Sequence, residues 1–241
     1  MHAYLRECIL DGTLPPGSKL SQVSLARQLG ISRTPLREVL RMLQEEGLVE
    51  IEPNQRTRVT GLDVQELDDI YACRITLETL ALSMTIRKFG DTDRTAAGQL
   101  LATMREAADS GDLNSWFAAH AEYHRLITAA AGPALRRQLG IFADRTIRYI
   151  RIYQLSDPSS WQAVGDIEHA RILQALIAKD EGAALTELAH HLARTALRVL
   201  GDCAPDYIPT AVPHAVELVT ASQDSDTLND RRAAAKDLLA R

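Results

Sequence analysis

Apolar residues return every three or four positions over most of this chain, and the polar residues between them fall on the opposite side of the same helical wheel. From Asp63 to about Cys203 the pattern predicts helices near 63–88, 92–109, 112–130, 134–154, 158–178 and 181–202. Gly90-Asp91, Ser110-Gly111, Gly132-Pro133, Ser156-Asp157-Pro158 and Lys179-Asp180 separate them. Strand alternation is absent from this stretch, so it reads as an all-α bundle.

The first 60 residues are patterned differently. Leu20 to Leu29 is a short amphipathic helix stopped by Gly30, and Gly30-Ile31-Ser32 is a tight connection into a second helix. Ser32 suits its N-cap, and Pro35 falls in the first turn, where a missing N–H costs little. Leu36, Val39, Leu40 and Leu43 form its buried stripe, while Arg33, Arg37 and Arg41 step by four along another face. After Gly47, residues 48–52 and 56–60 alternate like two strands around a Pro53-Asn54 turn, with Arg56 and Arg58 near the tip. Helix, tight turn, capped basic helix and basic hairpin together predict a winged helix-turn-helix over 1–61. Its second helix is expected to enter the DNA major groove with Ser32, Arg33, Thr34 and Arg37 at base edges and adjacent phosphates, and Arg41 on the same face. Arg56 and Arg58 would meet phosphates or the minor groove. The competing reading of the arginine stripe alone is a solvated surface.

Pro15-Pro16-Gly17, Leu25-Ala26, Ser32-Arg33-Thr34-Pro35-Leu36-Arg37-Glu38 and Glu46-Gly47-Leu48, all within residues 4–60, resemble the winged-helix domain of the GntR family of bacterial transcription regulators.

Charge at first argues against nucleic acid, because the net value is −5. Residues 1–60, however, carry 8 Lys+Arg against 7 Asp+Glu, and the remainder 19 against 25, so the acid belongs to the other domain. Phosphate contact depends on charge within a Debye length, and a basic face on a near-neutral domain suffices. No apolar run approaches the roughly 20 residues that span a bilayer, and a cytoplasmic protein with no membrane partner is expected. Cys8, Cys73 and Cys203 are far apart without CxxC spacing, which suggests reduced packing residues.

Candidate chemistry in the helical region lies in its histidines, five of the chain's seven: His120, His124, His169, His190 and His191. His120 and His124 are four apart on one helix, so their rings project side by side as a metal pair requires. His169 and His191 sit on two later helices, and three inward faces could converge on one point. Taken singly, each histidine also fits a satisfied core or surface residue.

Residues 62–204 resemble the FCD effector and dimerisation domain of FadR-like GntR regulators. That resemblance implies a divalent metal held by an Asp-x3-His on one helix and one histidine from each of two later helices. His124 takes the second position, His169 follows in Glu168-His169, and the family spacing lands on His191 rather than His190. The position usually held by Asp is His120. Losing the anionic ligand favours Zn²⁺ or Ni²⁺ over Mn²⁺ or Mg²⁺. Four imidazoles would also fill a tetrahedral Zn²⁺, so a sensing metal must take a fifth ligand or leave one histidine off.

Arg74, in an Arg-x3-Glu with Glu78, matches the family position that can face an effector and grip its carboxylate; the alternative is a surface pair with Glu78. Pro205, Pro209 and Pro213 are expected to forbid regular structure in the 205–241 extension, apart from a short polar helix over 226–241. Together these features predict a homodimeric, ligand-responsive regulator, a repressor rather than an enzyme, that binds a pseudo-palindromic double-stranded operator and senses a small carboxylate at a metal site. A regulator that senses the metal itself, and a metal-dependent hydrolase using Glu122, Asp166 or Glu168 as base, are the alternatives.

Overall fold

The computed structural model describes residues 1–51, 56–61, 63–154 and 158–224. The Pro53-Asn54 turn, the break at 156–157 and the helix expected over 226–241 lie outside these residues. The order of elements is α1 His2–Leu10, β1 Lys19–Leu20, α2 Gln22–Gln28, α3 Arg33–Glu45, β2 Val49–Ile51, β3 Thr57–Val59, α4 Val64–Ile86, α5 Asp91–Ser110, α6 Leu113–Ile127, α7 Pro133–Gln154, α8 Pro158–Ala178, α9 Glu181–Cys203 and α10 Ala211–Asp224.

The amino-terminal part is built on the helix pair α2 and α3. Ser21 caps α2 by accepting from the Ser24 N–H at 3.3 Å, and Gly30 turns the chain with φ of 65°, a left-handed backbone that suits glycine. Leu36, Leu40 and Leu43 of α3 are buried with Leu5 and Ile9 of α1, Leu48 and Val59. Ser32 occupies the N-cap position of α3, but its side chain makes no capping bond. Two further features depart from the sequence reading. Leu20 is not helical: with Lys19 it forms a third strand, so the antiparallel sheet runs β1-β3-β2 with Leu20 opposite Thr57 and Glu50 opposite Arg58. The helix that follows is correspondingly shorter.

The larger core runs through α4 to α10. Asp63, Asp112 and Asp180 each accept a backbone N–H three residues on, which starts α4, α6 and α9 where the sequence places them. Ile147 of α7 packs against both this core and the amino-terminal one.

The prolines after Cys203 do not prevent a helix. Pro213 sits in the first turn of α10, where backbone N–H groups have no partner within the helix and a missing one costs nothing. Val212, Ala215 and Val219 recur at helical spacing and are buried against α4 and α9. Asp68 of α4, itself fully buried, receives the backbone N–H groups of Thr210 at 2.9 Å, Ala211 at 3.0 Å and Val212 at 2.9 Å. A carboxylate from a distant helix thus caps the amino end of α10.

Candidate metal centre

Three helices bring four imidazoles to one place. α6 supplies His120 and His124, α8 supplies His169 and α9 supplies His191, and one ring nitrogen of each lies within 4.8 Å of the others. The i,i+4 spacing on α6 puts the first two ring centroids 4.6 Å apart, and His169 and His191 approach to 4.4 Å across the α8–α9 packing. His190, one residue from His191, is exposed and outside the group. Aromatic packing fixes the rings. Trp116 stacks on His120 at 4.9 Å with the planes 16° apart, and Tyr123 donates its hydroxyl to the His169 carbonyl at 2.8 Å, joining α6 to α8.

Carboxylates orient two of the rings. Glu78 Oε2 lies 3.0 Å from His124 Nδ1, and Glu168 Oε2 lies 2.8 Å from His191 Nδ1. A carboxylate can only accept, so each Nδ1 carries the proton and each Nε2 is left as a lone-pair donor. His124 Nε2 and both nitrogens of His169 are buried without a hydrogen-bond partner among the described residues. Buried polar atoms without partners are costly, and a lone pair on His124 Nε2 and on one of the two His169 nitrogens, close to the other rings, is what a cation can take up.

Electrostatics agree with that geometry. Burial, then the neighbouring charges of the group itself, holds His120, His169 and His191 well below the ordinary imidazole range, so they remain neutral. Burial opposes ionisation of Glu78, but the Arg74 guanidinium and His124 more than offset it and bring its pKa down to about 2.

Arg74 is not on the surface. It is 5% exposed, donating Nε to Glu78 Oε1 at 2.7 Å and a terminal N–H to Thr146 Oγ1 at 3.0 Å. The pair seen in the sequence exists, but as a buried brace behind His124 rather than a solvated i,i+4 contact. Arg74 also borders a cavity of about 440 Å³ that opens beside His120 and His124, with Leu126, Leu139, Ile147 and Ile150 among its apolar walls and Arg125 and Arg136 on its lining. A cavity of this size accommodates a small organic molecule.

The three carboxylates near the histidines are each paired with a basic side chain. Glu168 is held by His191 and Arg194, Glu122 pairs with Arg125, and Asp166 faces Arg105 at 3.7 Å. Cys8 and Cys203 are half-buried, whereas Cys73 is exposed and is not the packing residue expected.

At the other end of the chain, Ser32, Arg33, Thr34 and Arg37 are exposed along the start of α3. Arg41 shares that helix but is engaged by Glu38 at 3.4 Å and by Glu45. Arg56 is exposed, and Arg58 is half-buried on the central strand between Lys19 and Glu50. Sequence reasoning missed the contributions of Trp116, Glu78 as an orienting carboxylate, and Glu168. The acid immediately before His169 was the available signal for the last.

Residues 2–59 match the family described as bacterial regulatory proteins, gntR family, and residues 69–194 match the FCD domain. The HTH-type transcriptional repressor GlaR of Escherichia coli is 29% identical over 79% of this chain and 90% of its own length. A probable D-xylose utilization operon transcriptional repressor of Paenarthrobacter nicotinovorans is 30% identical over 77% and 80%. Among solved structures, McbR/YncC of E. coli superposes with a TM-score of 0.71 at 23% identity, covering 83% of this chain and 95% of that one, which is a likeness of fold.

Proposed function

We propose, from the premise that this chain belongs to the GntR family of bacterial transcription regulators and carries its FCD domain, that it is a metal-containing, acid-responsive repressor. The carrying observation is the four-histidine group with orphaned buried nitrogens beside the cavity of about 440 Å³. His120, His124, His169 and His191 would hold a divalent cation, and an all-nitrogen donor set favours Zn²⁺ or Ni²⁺ over Mn²⁺ or Mg²⁺. Bound there, the metal would supply a Lewis-acidic attachment point for a small carboxylate. Glu78 and Glu168 fix the inward lone pairs, and the apolar wall of the cavity excludes water from the remainder of the ligand. Arg74 contributes positive charge at the cavity edge, with two of its donors already committed to Glu78 and Thr146.

DNA recognition falls to the exposed start of α3. Ser32, Arg33, Thr34 and Arg37 are positioned for base edges and adjacent phosphates, and Arg56 and Arg58 for the backbone or minor groove. Arg41 is the weakest member, since two carboxylates pair with it. Two copies joined through their helical domains would present two such helices to a pseudo-palindromic operator. Ligand in the cavity would favour an arrangement unable to span both half-sites. A full switch from 99:1 to 1:99 needs about 5.5 kcal/mol of differential affinity, within reach of a metal-held anion.

The test is elemental and native-mass analysis of the purified chain, followed by operator binding titrated with the metal alone and with any retained acid. Retained metal with acid-sensitive DNA binding supports the reading. Sensitivity to metal alone would instead make the metal the signal, and absence of metal would remove the centre from it.

A further inference from the structure

One helix touches both the cavity and the reading head. α7 presents Leu139, Ala143 and Thr146 to the cavity, and Asp144 lines it as well. The Asp144 carboxylate also pairs with Arg6 of α1, and Arg6 reaches Glu46, at the end of α3, at 3.4 Å. One residue on, Arg145 pairs with Glu66 in the first turn of α4 and lies against Gly47, where an added Cβ would stand 2.9 Å from Arg145 Nε. Gly47, with φ of 72°, is the turn from α3 into the wing. Tyr149 then holds the interdomain connection, accepting from the Asp63 N–H at 2.9 Å and donating to its carbonyl at 3.2 Å. Among the described residues, ion pairs and the isoleucine shared by both cores, Ile147, make this a polar docking surface, the kind that opens at modest cost.

We propose that α7 is the coupling element and that Asp144 is a positioning residue shared between two tasks, holding α1 through Arg6 while forming part of the cavity wall. Filling the cavity and docking the reading head therefore change one another's free energy, and linkage makes the effect reciprocal. This deepens the reading of the cavity as the effector site and rests on it.

Gly140 allows a test that needs no effector. It lines the cavity in the middle of α7, and an added Cβ would meet nothing within 4 Å. Gly140 is exposed, so Gly140→Trp places an indole at the cavity rim, where it can obstruct the cavity, and Gly140→Ala controls for helix propensity. In the full chain as purified, amide hydrogen exchange is compared in α1 and α9. Asp144→Asn is expected to speed exchange in α1 by about fivefold, and Gly140→Trp to shift it by a similar factor relative to Gly140→Ala, with α9 unaffected. Asp144→Glu, which keeps a carboxylate for Arg6, should restore slow exchange in α1. If Gly140→Trp also loosens α9, Ala143→Leu at the same wall replaces it. Identical α1 exchange in the obstructed and control chains, or in Asp144→Asn and the parent, overturns the proposal. These outcomes are independent of whether metal or acid is retained, so failure here and failure of the sensing reading are separable.

Discussion

Glu78 Oε2 lies 3.0 Å from His124 Nδ1, so the first helix of the bundle sets the direction in which an imidazole of a later helix offers its lone pair. The same carboxylate is braced by Arg74, which makes a buried triad of Arg74, Glu78 and His124. Glu78→Gln keeps the shape but frees His124 to take the other tautomer and strands Arg74. We expect a loss of metal affinity of about 10–100-fold, as is typical when the partner of a ligating histidine is removed. Competition titration of Zn²⁺ against a chromophoric chelator measures it, and unchanged affinity would refute the orienting role.

Adjacent histidines should behave oppositely. His191→Ala removes a member of the buried group, whereas His190→Ala alters an exposed side chain. Metal content after dialysis should fall sharply in the first and equal the parent in the second. Chelation of the parent should lower its melting temperature and leave that of His191→Ala nearly unchanged, because a ligand that binds only the folded state stabilises it by mass action.

Asp68 governs the carboxy-terminal helix, and its pKa dictates the pH dependence. Burial raises its pKa, but the N–H groups of Thr210, Val212 and Ala211 and the Tyr207 hydroxyl outweigh that, and the folded pKa lies below the usual value. A lowered acid pKa gives stability that is present above about pH 4 and lost as pH falls through the folded value. Asp68→Asn is expected to cost about 1–3 kcal/mol at neutral pH. Urea unfolding should find that deficit, and the gap between parent and variant should narrow below pH 4; a pH-independent gap would contradict the account.

The arginines of α3 should be unequal. All three are exposed, and Arg41 is paired with Glu38 and Glu45. Alanine at either of the first two is expected to reduce the salt dependence of duplex binding by about one phosphate contact, and at Arg41 by clearly less. Fluorescence anisotropy on a labelled duplex across a salt series reads this directly, and equal effects at all three would show that the intrahelical pairs open on DNA.

Local sequence determined a great deal of this protein. Aspartates at helix starts, glycines at turns and the 3.6-residue apolar period specify the bundle, and the i,i+4 spacing alone put His120 beside His124. The winged helix was equally legible, because α2, Gly30 and α3 are contiguous and their chemistry is short-range. Lys19-Leu20 escaped because strand pairing is set by a partner 39 residues away in sequence, Arg58 opposite Lys19. The α10 helix escaped because Pro213 reads as a breaker until one knows that it occupies a first turn capped by a carboxylate from α4. Tertiary structure alone decided that Arg74 is buried, that Glu78 and Glu168 face ring nitrogens, and that α7 borders both the cavity and α1. Hydrogen-bond and ion-pair partners across helices depend on axial shift and rotation at packed interfaces, and those are fixed by the summed fit of many side chains rather than by any segment's own pattern.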